Sequence, residues 1–213
     1  AKLSILPKIP VMNIDTVLRI ENNNYEYKFS IRTNNVVDFI NKVNGDGSII
    51  GVIDQFYKPL HYKYKYTRKN KEKFVEIKYS ESSISELNLI PQPDKNKLTK
   101  IEDGMLIDTI DPSSFFLNIL SYKNINDCEK TFRVFDGKRR YDVIFTKDDK
   151  IISNNLIYCK ANQIKLGGYK IGEEEDVFAS SDYIKVIYDN DKKDFYGYEA
   201  NNGAITLFIN EVN

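Results

Sequence analysis

His61-Tyr62-Lys63-Tyr64-Lys65-Tyr66-Thr67 alternates tyrosine with lysine along its middle. Successive side chains of a β-strand point to opposite faces, so this stretch sets its tyrosines on one face and its lysines on the other. On a curved sheet that means an aromatic inner wall and a wetted outer one. The same period-2 pattern recurs on both sides. Asn13 to Ile20 carries Ile14, Thr16, Leu18 and Ile20 on one face, Asn22-Asn23-Asn24 is turn material, and Tyr25, Tyr27, Phe29 and Ile31 alternate again. Ser48 to Phe56, Phe74 to Ser80 and Ile84 to Ile90 follow. Beyond Pro91-Gln92-Pro93 come Thr131 to Phe135, Tyr141 to Thr146, Asn155 to Gln163, Tyr183 to Tyr188, Phe195 to Ala200 and Ala204 to Ile209. Asn201-Asn202-Gly203 signals a tight turn between the last two.

Two segments depart from this rhythm. Asn34 to Val43 spaces Val36, Val37, Phe39, Ile40 and Val43 as a helix would, with Gly45 as its stop. Asp111-Pro112-Ser113-Ser114-Phe115-Phe116 offers an N-cap aspartate and a proline at the first helical position, leading into Ile119 and Leu120. About a dozen antiparallel strands and two short helices predict a mainly β fold. It is a single strongly curved sheet forming an open or unclosed barrel, with helices at its mouth. The expected organisation is one domain over residues 1–213, with Pro91 to Gly104 as a long loop.

Composition narrows the function. Lys+Arg 31 against Asp+Glu 31 leaves no net charge, so no global field draws nucleic acid or anionic lipid. Fifteen Tyr and 12 Phe with no Trp lean towards strands. No apolar run approaches the roughly 20 residues of a membrane-spanning helix. The start, Ala1-Lys2-Leu3-Ser4-Ile5, fits either a mature chain after signal-peptide removal or a trimmed one.

No catalytic constellation stands out. His61 is the only histidine, and no Gly-x-Ser-x-Gly elbow exists, so no nucleophile relay is expected. One histidine and two cysteines fall short of a zinc site, and no motif calls for a cofactor. Glu173-Glu174-Glu175-Asp176 reads as a solvated loop, because consecutive acids diverge instead of converging on a cation. Asp148-Asp149 and Asp189-Asn190-Asp191 read as exposed turns. The basic residues among the tyrosines of 58–73 resemble a single-stranded nucleic-acid platform, but zero net charge argues against that reading.

Cys128 and Cys159 lie 159 − 128 = 31 positions apart, the first before one strand and the second in the next strand but one. A disulfide is feasible in a tightly curved sheet and would suit an oxidising compartment. Two buried thiols in a cytosolic protein give the same sequence. Between them, Phe132 to Val143 reads as a hairpin turning near Asp136-Gly137, with Lys138, Arg139 and Arg140 crowding its tip as a charge-paired turn or an anion contact.

Three phrases carry a resemblance. They are Cys128 with Thr131-Phe-Arg-Val-Phe-Asp-Gly-Lys-Arg-Arg-Tyr-Asp-Val143, Asp111-Pro-Ser-Ser-Phe-Phe116, and Tyr158-Cys-Lys160 with Gly168-Tyr169. In these the chain resembles a bacterial family of exported proteins known only by a domain-of-unknown-function label (thirty-one-oh-eight). The resemblance implies a periplasmic or cell-envelope location and a half-barrel similar to the lipoprotein carriers, with helices across its mouth. An aromatic inner face would then receive an acyl chain or another apolar ligand under a lid formed by Asp111 to Tyr122. The expected lining is Phe56, Tyr62, Tyr64, Phe115, Phe116 and Leu120, with no enzymatic activity and a membrane-peripheral or envelope partner. The alternative is an envelope interaction module with a filled core, contacting partners through Lys138, Arg139 and Arg140.

Overall fold

The computed structural model describes residues 12–33, 42–68, 70–121, 128–147, 156–172, 183–189, 194–201 and 206–209. Two six-stranded antiparallel sheets account for most of them. The first is a meander of β1 (Met12–Glu21), β2 (Asn24–Thr33), β3 (Val43–Asp54), β4 (Phe56–Arg68), β5 (Lys71–Ser80) and β6 (Ser83–Ile90). The second runs in order from β7 (Lys130–Phe135) through β8 (Arg140–Lys147), β9 (Leu156–Gly167), β10 (Tyr183–Asp189) and β11 (Asp194–Asn201) to β12 (Thr206–Ile209). One α-helix, α1 (Pro112–Leu120), lies in the connection between the sheets.

The strands match the alternation in the sequence, but the single continuous sheet is corrected to two. β6 ends at Ile90, where Pro91 and Pro93 remove two backbone donors. The chain then needs Pro91 to Glu129 to reach β7, which pairs with β8 and meets the connection's backbone through a parallel bridge between Ile110 and Val134. The second expected helix is also revised at its end. Residues 34–41 lie outside the described ones, while Val43 and Gly45 belong to β3.

Local chemistry explains the joints of the first sheet. Asn22 and Asn23 both adopt left-handed backbone, with φ of 48° and 62°, and Glu81 and Ser82 do the same at 49° and 65°. Two consecutive positive φ angles define the tight hairpin turn whose twist matches its strands, and after glycine asparagine is among the residues that tolerate it best. Pro59 sits inside β4, where a ladder donor is missing. The register slips opposite it, pairing Ile50 with His61 and Gly51 with Pro59, so Leu60 bulges outward. This slip and a second between Lys78 and Tyr79 bend the sheet.

Two apolar clusters form the core. One joins Tyr25, Tyr27, Ile49, Tyr62 and Ile77 of the first sheet to Leu117 of α1 and Phe135 of β7. The other joins Ile119 of α1 to Phe132, Val134, Val143 and Phe145 of the second sheet, together with both cysteines. The helix therefore faces both sheets. Asp111 caps it as expected, accepting from the Ser113 and Ser114 amides at 2.8 and 2.9 Å. Asn118 ties its far end to β4, accepting from the Tyr57 amide and donating to the Tyr57 carbonyl.

Cys128 and Cys159 form a disulfide with Cα atoms 5.3 Å apart. It closes inside the second cluster, where both residues are fully buried.

The hairpin between β7 and β8 turns inward. Gly137, at φ +92°, lies against the first sheet, and a Cβ there would stand 2.7 Å from Val75 Cγ1 and 3.0 Å from Leu89 Cδ2. Gly137→Ala is therefore expected to destabilise by about 2 kcal/mol, from left-handed strain and crowding together. The reading is a lower urea midpoint at unchanged slope; an unshifted midpoint would disprove this packing.

Candidate functional site

The inner face of the first sheet, the one against α1 and Phe135, is built in cross-strand rows. Register aligns Thr16, Phe29, Gly47, Tyr64 and Val75 in one row, and Ile14, Ile31, Gly45, Tyr66 and Lys73 in the next. Tyrosine occupies this face of β4 while Lys63 and Lys65 point outward, as the alternation predicts: Tyr62 is buried, Tyr64 and Tyr66 are half-buried, and both lysines are exposed. On the outer face Lys63 and His61 both meet Glu76, His61 Nε2 lying 2.8 Å from Glu76 Oε1.

Glycine in β3 lets rings lie across the backbone. A Cβ at Gly45 would come within 2.7 Å of both Tyr64 Cε2 and Tyr66 Cβ, and one at Gly47 would fall inside the Phe29 ring. The result is an aromatic pavement. Tyr27 stacks near Phe29 at 5.8 Å between centroids, Phe29 lies 5.4 Å from Tyr64, and Tyr64 stacks on Tyr66 at 4.7 Å.

The two ends of this face differ. At the α1 end Tyr25 and Tyr62 are sealed, and the Tyr25 hydroxyl meets Ser114 Oγ at 3.1 Å. Burial first, and then the Asp111 charge, holds the Tyr62 hydroxyl well above its ordinary pKa. Asp111 itself is fully buried, and that burial raises its carboxyl to about 6 despite hydrogen bonds from Ser114 and Ser113 that favour the anion. The Tyr79 hydroxyl is buried there with no hydrogen-bond partner among the described residues. At the other end the pavement is open. Tyr64, Tyr66 and Ile31 are half-buried, and beside Ile31 on β1 Ile14 is 40% exposed. Leu18 and Ile20, further along β1 in the Tyr27 and Tyr25 rows, are exposed as well. Burial and then neighbouring Tyr66 push the Tyr64 hydroxyl up to about 12, so these rings stay neutral at any ordinary pH.

The expected lining residues do not converge. Tyr62 and Tyr64 belong to the first-sheet cluster, whereas Phe56 and Phe115 pack with the second. Phe115 lies 5.4 Å from Phe132 and 6.0 Å from Phe145, and Phe56 lies 6.4 Å from Phe132. Phe116 and Leu120 are half-buried on α1. The open end instead uses Ile31, Tyr66 and Ile14 with Tyr64, while Phe29 beside them is buried. Their alternation was legible in the sequence, but Gly45 read as a helix stop and its role under the rings went unseen.

The basic hairpin tip is exposed only in part: Arg139 is exposed and Lys138 half-buried, but Arg140 is buried. Arg140 is 2% exposed, its Nε donating to the Met105 carbonyl at 2.7 Å and an Nη pairing with Asp142. Arg139 pairs with Asp136, which also accepts from the Lys138 and Arg139 amides. These bonds shape the turn from within. The acidic run 173–176 and Asp148-Asp149 lie outside the described residues.

These features define a disulfide-stapled, two-sheet β protein with a helix between its sheets and a half-open aromatic face, and without a reactive constellation among the described residues. The chain belongs to the family described as protein of unknown function DUF3108, whose model matches residues 4–196. No curated protein and no solved structure matches it.

Proposed function

We propose that this chain is a non-enzymatic protein of the bacterial cell envelope that binds or chaperones an apolar, lipid-like ligand on the inner face of its first sheet. One observation carries the reading. The stacked Tyr64–Tyr66 pair is half-buried at the edge of the buried Phe29 and Tyr27 rings, and the face continues into exposed Ile14 and Leu18 on β1, which leaves apolar surface in water. The disulfide supports an oxidising compartment, hence the periplasm. No helix among the described residues is long and apolar enough to cross a membrane. A curled sheet with a helix against its inner face is what a lipoprotein-carrier type of half-barrel would require, and on that likeness α1 is the plug.

The uncharged probe dodecanol is expected to bind saturably, quenching tyrosine emission. Tyr66→Ala should weaken binding about tenfold, the equivalent of roughly 55 Å² of lost apolar contact at 25 cal/mol per Å². Native mass spectrometry of protein purified without detergent should show a copurified acyl compound. No saturable binding would defeat the reading and favour the alternative, an interaction module without a small ligand. That alternative draws on the filled core around α1, where Leu117, Tyr62 and Phe135 close the inner face at one end.

A further inference from the structure

β1 is an edge of the first sheet, bordered among the described residues by β2 alone. Proteins guard such edges with short strands, prolines, bulges or a covering element. β1 shows none of these. It runs ten residues in unbroken register with β2, and every residue from Asn13 to Glu21 is exposed, none of them proline or glycine. Its exposed side chains are apolar on both faces: Ile14, Leu18 and Ile20 on the inner face and Val17 on the outer are between 40% and 54% exposed. The two-residue turn at Asn22-Asn23 makes Glu21 and Asn24 a hydrogen-bonded pair. Antiparallel alternation then aims the amides and carbonyls of Ile14, Thr16, Leu18 and Ile20 away from β2, towards the edge.

We propose that β1 pairs antiparallel with β1 of a second copy of this chain, about a twofold axis at Val17, and so joins the two first sheets into one. Charge complementarity selects this occupant, because the strand matches itself when reversed about Val17. Asp15 falls opposite Arg19 of the second copy and Arg19 opposite its Asp15, on the outer face beside the paired valines. On the inner face Ile14 meets Ile20 and Thr16 meets Leu18. Neighbouring registers lose this match: an axis at Leu18 sets Asp15 against Glu21, and one at Thr16 sets Asp15 against Val17. Both charges are available at the edge. Asp15 is exposed, and Arg19 reaches Glu26 only at 3.8 Å with 74% of its side chain exposed, while Glu26 is held by Lys28 at 2.6 Å. Pairing uses the edge of the sheet and not its inner face, so the inference stands whether or not an apolar ligand binds. A single strand edge buries little surface, which sets the expected dissociation constant on the order of 10 μM.

The test follows the mass of the intact protein by sedimentation velocity from about 1 to 100 μM. The wild type should shift from monomer towards dimer across that range. Asp15→Arg sets arginine against arginine and Arg19→Asp sets aspartate against aspartate, so each alone should weaken self-association about tenfold or more. An equimolar mixture of these two variants restores opposite charges at both positions and should form a heterodimer about as tightly as the wild type, which also shows that both are folded. Val17→Cys lies on the axis, in a non-hydrogen-bonded pair with Cα atoms about 4.5 Å apart, and should give a disulfide-linked dimer under mild oxidation. Arg19→Cys faces Asp15 of the second copy and should not link. A monomer throughout the range would overturn the proposal. A dimer unaffected by both charge variants, or linked through Arg19→Cys and not through Val17→Cys, would overturn it as well.

Discussion

Replacing Cys128 and Cys159 together by alanine is expected to lower stability by about 3–4 kcal/mol and the melting temperature by about 10 °C. The bond closes a loop of 31 positions, from just before β7 to the first third of β9. Without it, the unfolded chain regains the entropy of that loop. The folded state loses as well, because both sulfurs are buried among Phe132, Val134, Val143, Phe145 and Val186. Alanine leaves space there that the strands cannot fully close. Reductant should bring the wild type down towards the double variant and leave the variant unmoved. Coincident melting curves for wild type and variant would contradict the expectation.

A second large effect is expected from one carboxyl group. Asp111 is fully buried and its folded-state carboxyl titrates at about 6, against an ordinary 3.8. The folded protein therefore holds a proton that the unfolded chain releases between those values. A raised pKa means that this group's stabilising contribution is present below pH 3.8 and is lost as pH rises through about 6. The gap corresponds to about 3 kcal/mol at 1.36 kcal/mol per tenfold change. Asp111→Asn keeps an acceptor for the Ser113 and Ser114 amides, since asparagine caps helices as well as aspartate does, but it cannot ionise. Urea midpoints measured from pH 4 to 8 should show the wild type losing stability relative to Asp111→Asn, the difference levelling off above about pH 7. Parallel profiles would show that Asp111 stays ionised in the fold.

Many local features were readable from the chain. Alternation at Tyr25 to Ile31 and at Tyr62 to Tyr66 marked strands and their inner faces, because period-2 patterning is a property of neighbouring residues. The same holds for the Asp111-Pro112 helix start and the asparagine turn after β1. The family too was legible in the hairpin and Asp111-Pro-Ser-Ser phrases, and the match over residues 4–196 bears it out. The candidate trough was only half legible. Gly45 carries no side chain to reveal that it lies beneath Tyr64 and Tyr66, and a valine-rich stretch before it suggested a helix that would end there.

What the chain could not disclose is where distant segments meet. Tyr25 and Ser114 stand 89 positions apart, yet their hydroxyls touch; Arg140 reaches back 35 positions to the Met105 carbonyl. Such contacts decide burial, and burial decides chemistry. An exposed Asp111 would be an ordinary cap, and an exposed Arg140 an anion contact. Packing makes the first a titrating group and the second an internal brace. Tyr62 and Tyr66 look alike in sequence, but α1 covers the first and leaves the second half-open. Period and turn chemistry set the strands and the sides they present, since both act over a few residues. Which part of the aromatic face is sealed and which stays open follows from long-range packing of the helix and hairpin onto the first sheet.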